Sequence, residues 1–120
     1  MNVLVVVEDD PGMRVLIEEV LGEDCRLKLS GELSNVEDAI EIARANQPDL
    51  MILDHFIEGE IMGLQAAPML KAVAPQAKII LFTSHDLTIE AQREPAVDVL
   101  VLKRNFDQLL PTAQALLGLT

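Results

Sequence analysis

Acidic, hydroxyl and lysine side chains follow short apolar runs at four places in the sequence. They are Glu8 and Asp9, Asp54, Thr83 and Ser84, and Lys103. If the fold brings these places together, three carboxylates share one crevice, which is costly unless a cation lies between them. Oxygen ligands select a hard cation, and magnesium is the usual one where a phosphate completes the coordination. The residue types therefore predict a Mg²⁺ site.

The remaining polar groups suit an anionic reactant held against that metal. A cation between the carboxylates and a phosphoryl group cancels their repulsion. Asp54 then becomes a nucleophile, Thr83 a hydroxyl donor and Lys103 a compact positive charge for the phosphoryl oxygens. Flavins and dinucleotides are disfavoured, because their phosphates need a Gly-rich or Ser/Thr-rich loop after the first strand, where Glu8 and Asp9 would repel them.

Five short apolar runs predict the β-strands that must position these residues. Their ranges are 2–7, 26–29, 50–53, 78–82 and 97–102. Continuous apolar character over so few residues is typical of strands that are buried on both faces.

Helical periodicity fills the intervals between the runs. The first helix is predicted from Pro11, with Asp10 as its N-cap, and ends before Gly22. The spacing of Ser34 and Glu37 predicts a capping box at the start of the second helix.

The last three helices are predicted at 66–73, 87–94 and 106–117. Pro68 lies inside the third helix, so we expect that helix to start late or to bend. Pro111 favours a kink in the last one for the same reason.

Strands that alternate with helices predict an α/β fold. The expected architecture is flavodoxin-like (βα)5, a doubly wound, parallel five-stranded sheet in the order 2-1-3-4-5. Such sheets bind ligands beyond the carboxyl ends of the strands, near the point where the strand order reverses. This rule places all the polar residues named above at one edge of the sheet.

The sequence resembles the response-regulator receiver family along essentially its whole length. The resemblance lies in four segments at predicted strand ends: VVVEDDP at 5–11, PDLMILD at 48–54, IILFTS at 79–84 and LVLK at 100–103. Each segment alone is a weak signal, whereas all four in this order are specific.

This resemblance implies a role for each matching residue. Asp54 corresponds to the phosphoacceptor, Asp9 to the direct metal ligand and Glu8 to the acid that reaches the metal through water. Thr83 corresponds to the phosphate-sensing hydroxyl and Lys103 to the family's lysine. The backbone carbonyl of Phe56 would be a further metal ligand.

The implied function is a phosphoacceptor domain of a two-component or phosphorelay system. It would take its phosphoryl group from a histidine kinase or a histidine phosphotransfer protein, catalyse only its own phosphorylation and dephosphorylation, and signal to a downstream protein. An alternative is a receiver-like binding module that acts without phosphorylation. A small phosphohydrolase is disfavoured, because Phe56 stands two residues after the nucleophile, where a general acid would be needed.

The loop after Asp54 departs from the family pattern. The usual Met-Pro pair is absent, and Gly63 comes nine positions after Asp54 instead of eight. Glu58 and Glu60 make the loop acidic and could slow phosphotransfer, hasten hydrolysis or simply be solvated. We expect no chemical role for His55, which would be a partly exposed loop residue.

The output region departs from the pattern as well. Leu100 replaces the usual aromatic three residues before Lys103, and Arg104 follows where the family normally has proline. A cis bond without proline is very costly, so we expect Lys103–Arg104 to be trans. The interval from Thr83 to Lys103 is about two residues short, which predicts a fourth helix that is truncated or irregular.

Composition bounds the class of protein. The 120 residues fit one domain, 1–120, and suggest no fused output domain. Twenty acidic and nine basic residues give a net charge of −11, which disfavours direct nucleic-acid binding. With one cysteine, no signal peptide and no apolar run of membrane-spanning length, we expect a cytoplasmic protein without membrane insertion. Apolar residues of the last helix could serve a homodimer as well as the core.

Overall fold

The computed structural model describes residues 1–6, 11–55 and 61–119. Within these ranges the strands are Asn2–Val6 (β1), Lys28–Leu33 (β2), Leu50–Leu53 (β3), Lys78–Thr83 (β4) and Val99–Leu102 (β5). The helices are Pro11–Leu21 (α1), Val36–Asn46 (α2), Gly63–Val73 (α3), Thr88–Gln92 (α4) and Leu109–Leu116 (α5), with a 3₁₀ helix at Lys103–Gln108. The strands are parallel and lie in the order β2-β1-β3-β4-β5, as the sequence predicts.

The sheet is buried on both faces, which is why its central strands are continuously apolar. Successive side chains of a strand point to opposite faces. Leu4 and Val6 accordingly pack on one side with α2 and α3, whereas Val3 and Val5 pack on the other side with α1 and α5. All four side chains are fully buried.

The second strand differs most from its prediction. It begins at Lys28 and continues to Leu33, whereas the sequence predicts 26–29. Its pairing with β1 shifts between Val3 and Leu4, and all its residues after Lys28 are only partly buried. An edge strand that is half exposed carries polar residues such as Glu32, so a search for apolar runs misses it.

The second helix is capped one residue later than predicted. Asn35, and not Ser34, is the N-cap, and its Oδ1 accepts the backbone N–H of Asp38 at 2.9 Å. Asn35 Nδ2 in turn donates to the Asp38 carboxylate at 3.0 Å. The predicted capping box of Ser34 and Glu37 is therefore wrong. Asn35 and Asp38 have the same three-residue spacing, and asparagine caps a helix as well as serine does, so the sequence did not distinguish the two positions.

Both prolines lie within helices of the structure. The third helix does not start late: it begins at Gly63 and continues past Pro68. Pro111 is the third residue of α5, within the first turn, where a missing N–H costs no hydrogen bond. Phe106 belongs to the 3₁₀ helix and is 44% exposed, so the last helix does not begin at residue 106 as predicted but at Leu109.

The fourth helix is truncated, as the short interval predicts. It has five residues, three fewer than the predicted 87–94. Leu100, at the position of the usual aromatic, is partly buried against the core on the α3 side. No peptide bond in the described ranges is cis, so the Lys103–Arg104 bond is trans as expected. No helix there is long and apolar enough to cross a membrane.

Asp24 ties the segment before β2 to the last helix. Its carboxylate accepts the Arg26 Nη2–H at 2.7 Å and the Gln114 Nε2–H at 2.9 Å. These hydrogen bonds, above all those from Arg26, hold the pKa of Asp24 far below its usual range, and they outweigh the opposing effect of burial.

We expect Phe82→Ala to lower the free energy of unfolding by about 3–5 kcal/mol, because it empties a fully buried site near the end of β4. Urea denaturation measures the change. The exposed Phe106 provides the matched control, and Phe106→Ala should change stability by less than about 0.5 kcal/mol. Equal losses in the two variants would contradict the assignment of Phe82 to the core.

Asp24→Asn should destabilise the protein at pH 7, and its difference from the parent should shrink as the pH falls below about 4. The folded state holds this carboxyl at a lowered pKa, so its contribution is present above the unfolded pKa and is lost as acid protonates it. Thermal unfolding between pH 3 and pH 7 measures this. Glu41→Gln removes the same charge from an exposed site and should show no such pH dependence.

Candidate functional site

Asp54 follows β3 and is buried at the carboxyl edge of the sheet. Its backbone N–H donates to the carbonyl of Val6, at the end of β1, at 2.9 Å. Its side chain is 4% exposed, and its Oδ2 accepts a hydrogen bond from Lys103 Nζ at 2.6 Å. The distance is that of a charge-assisted hydrogen bond.

Strand register explains how residues so far apart in sequence meet. Leu53 pairs with Leu81, so β3 and β4 end close together, and Thr83 pairs with Leu102, so β5 ends beside β4. Lys103 comes directly after Leu102 and reaches across the end of β4 to Asp54. The parallel sheet thereby places an ammonium group against a carboxylate that would be costly to bury alone.

Thr83 occupies the strand between these two partners. It is the last residue of β4 and is fully buried, and its Oγ1 accepts the backbone N–H of His85 at 3.4 Å, which is a long bond. Ser84 is exposed, and its hydroxyl contacts the Nδ1 of His85 at 3.2 Å. The structure therefore brings Asp54 and Lys103 into contact, places Thr83 on the intervening strand and leaves Ser84 at the surface.

Three predicted metal-site residues lie outside the described residues. They are Glu8, Asp9 and Phe56, and the same is true of Glu58 and Glu60. Of the predicted ligands, the structure describes Asp54. Its donor chemistry fits a hard cation, because it presents carboxylate oxygens at the end of a sheet whose neighbouring strand, β1, runs directly into the Glu8–Asp9 segment.

His55 holds the start of the third helix. Its carbonyl accepts the backbone N–H of Gly63 at 2.7 Å, and its Nδ1 accepts the N–H of Leu64 at 3.3 Å. Burial lowers the pKa of His55, with a smaller contribution in the same direction from His85, while the Asp54 carboxylate opposes the shift. A neutral ring keeps Nδ1 as an acceptor. The expectation that His55 has no chemical role therefore misses its contact with α3.

Gly63 allows the start of α3 to approach the backbone of Asp54. A Cβ at this position would lie within van der Waals overlap of the Asp54 carbonyl oxygen and 2.7 Å from the Cα of His55. Real Cβ atoms do not come so close to backbone atoms, so this position requires glycine because of space and not because of its φ angle.

Sequence reasoning missed His55 and the packing of Gly63, although one signal was available. Met62 occupies the N-cap of α3, and methionine cannot cap with an oxygen. A helix that starts without its own capping side chain needs acceptors from elsewhere in the chain. His55 is a polar residue that precedes this helix and supplies two of them.

Gly63→Ala should lower the free energy of unfolding by about 1–3 kcal/mol, because the added methyl forces α3 away from Asp54. Chemical denaturation tests this. Gly118→Ala is the control: its φ of +70° strains alanine, but no atom lies near the added methyl, so its cost should be smaller. A Gly63 variant as stable as the parent would contradict the close approach.

Comparisons of sequence and of structure with known proteins point to the same family. The family model for the response regulator receiver domain matches residues 4–114. The chain is 32% identical to the response regulator TrrA of Thermotoga maritima, whose structure contains Mg²⁺-BeF; the TM-score is 0.81, and the match covers 97% of this chain and 99% of that one.

Longer proteins match as well. A putative transcriptional regulator of Pseudomonas aeruginosa is 29% identical over 98% of this chain. The regulatory protein PdtaR of Mycobacterium tuberculosis is 27% identical over 92% of it. The chain spans 58% and 54% of the lengths of these two relatives. Fold, site geometry and family match agree, and the chain belongs to the response regulator receiver domain family.

Proposed function

We propose that this receiver domain accepts a phosphoryl group on Asp54 in a Mg²⁺-dependent reaction. The observation that carries the proposal is the 2.6 Å contact between Lys103 Nζ and the nearly buried Asp54 carboxylate. Buried ion pairs are weak stabilisers, because desolvation offsets most of their attraction. A pair of this kind in the crevice of a doubly wound sheet is better explained by a role in chemistry.

The proposed reaction is an in-line transfer from a phosphohistidine. An Asp54 carboxylate oxygen attacks phosphorus and forms a P–O bond, the P–N bond breaks, and the leaving imidazole takes up a proton. Lys103 holds positive charge beside the carboxylate and can stabilise the phosphoryl oxygens. Thr83, at the end of β4, supplies a hydroxyl for the same oxygens.

Magnesium completes the proposed site. Asp54, Glu8, Asp9 and the carbonyl of Phe56 would hold the ion, which would supply positive charge to the phosphoryl group during transfer. The chain's own acids explain why a metal is needed, because an anionic nucleophile meets an anionic donor.

The proposed partners follow from this chemistry. The donor is a histidine kinase or a histidine phosphotransfer protein, and the receiver of the signal is another protein. The net charge of −11 disfavours direct contact with nucleic acid. Two expectations stay predictions. One is a single domain, 1–120, without a fused output module, and the other is a homodimer formed through the last helix. The relatives from Pseudomonas aeruginosa and Mycobacterium tuberculosis are longer than this chain.

Incubation with acetyl phosphate and Mg²⁺ should add one phosphoryl group to the parent, as measured by intact-protein mass. Chelation of the metal should abolish the adduct, and so should Asp54→Asn, because the amide cannot attack phosphorus. Asp49→Asn is the matched control: it removes a carboxylate that accepts the Asn2 N–H at the other end of the sheet, and it should leave the adduct intact.

The phosphorylated form could also be too short-lived to detect by mass. Mg²⁺ and beryllofluoride test for this case, because NMR shifts of residues near Asp54 would report their binding. Absence of both the adduct and the shifts would sink the phosphoacceptor proposal. It would favour a binding module that acts without phosphorylation.

A further inference from the structure

The start of α3 is held by a residue outside the helix. Of its first backbone donors, Gly63 N–H bonds to the His55 carbonyl and Leu64 N–H to His55 Nδ1. Met62, at the N-cap, makes no side-chain hydrogen bond to these groups, although its own N–H donates to Gln65 Oε1 at 3.1 Å. His55 therefore does the work of a capping residue from eight positions before the helix.

His55 is also the neighbour of the candidate nucleophile, Asp54, in the sequence. His55 follows Asp54 directly, and the Cα of Gly63 packs against the carbonyl of Asp54. Two hydrogen bonds and one close backbone contact thus join the end of β3 to the start of α3. The chain that leaves at His55 and returns at Gly63 has both of its ends fixed by these contacts.

The ring contributes something that the backbone does not. The bond to the His55 carbonyl would survive any substitution, whereas the bond to Nδ1 depends on a side-chain acceptor at one position. The acceptor, Nδ1, is attached to Cγ of the side chain. In asparagine the same place is taken by Oδ1, which can also accept a hydrogen bond. In leucine it is taken by a methyl carbon, which cannot.

We propose that His55 is a positioning residue for the Mg²⁺ and phosphoryl site. Its ring, bonded to the Leu64 N–H, holds the end of β3 against the start of α3 and thereby orients the Asp54 carboxylate. This inference rests on the proposed function. Groups that orient metal ligands commonly change metal affinity by roughly tenfold or more when they are lost.

The test compares His55→Leu with His55→Asn. In the leucine variant, Mg²⁺ affinity measured by calorimetry should fall roughly tenfold, and the Leu64 amide should exchange faster by NMR. The rate with acetyl phosphate should fall at low Mg²⁺ and recover towards the parent at saturating Mg²⁺. The asparagine variant should restore both the affinity and the protection of Leu64, because its Oδ1 can accept the same N–H.

A merely structural role predicts a different result. Both variants would then lose thermal stability while Mg²⁺ affinity stayed at the parent value, and this outcome would overturn the proposal. Equal losses of affinity in the two variants would also overturn it. If the leucine variant does not fold, His55→Ala removes the ring and is judged by the same measurements.

The experiments distinguish failure of the His55 proposal from failure of the proposed phosphorylation of Asp54. Mg²⁺ affinity and Leu64 exchange need no phosphorylation, so they test His55 even if the parent accepts no phosphoryl group. Conversely, an adduct on the parent that depends on Asp54, combined with unchanged affinity in His55→Leu, would leave the proposed function standing and reject the role of His55.

Discussion

Parallel pairing of the strands is the constraint on which the rest of this structure depends. It brings the carboxyl ends of β1, β3, β4 and β5 to one edge, and Asp54, Thr83 and Lys103 lie at or just beyond those ends. Parallel strands need long crossovers, which the helices provide while they cover both faces. The core and the site therefore have the same geometric origin.

Because Asp54 is buried, its carboxylate must be compensated by neighbouring groups. A carboxylate that is 4% exposed needs a nearby positive charge, and Lys103 supplies it across the end of β4. The same packing brings the start of α3 against the backbone of Asp54, where Gly63 leaves room for it. The end of β3 is thus held by backbone contacts as well as by the Lys103–Asp54 ion pair.

Departures from the family pattern fall into two groups. Those near the site are accommodated: His55 accepts N–H groups at the start of α3, and Gly63 closely approaches the backbone of Asp54. Those near α4 change the surface, because this helix has only five residues and Leu100 packs against the core.

The sequence alone was enough to predict the sheet order and to place Asp54, Thr83 and Lys103 at the carboxyl ends of their strands, because apolar runs and the residues after them are local patterns. It missed the half-exposed β2, the cap at Asn35 and the role of His55. The contact of Lys103 with Asp54 joins residues 49 positions apart, and the His55–Leu64 bond closes a loop. Tertiary structure decides such contacts, because they depend on distances between strands and helices that no local pattern encodes.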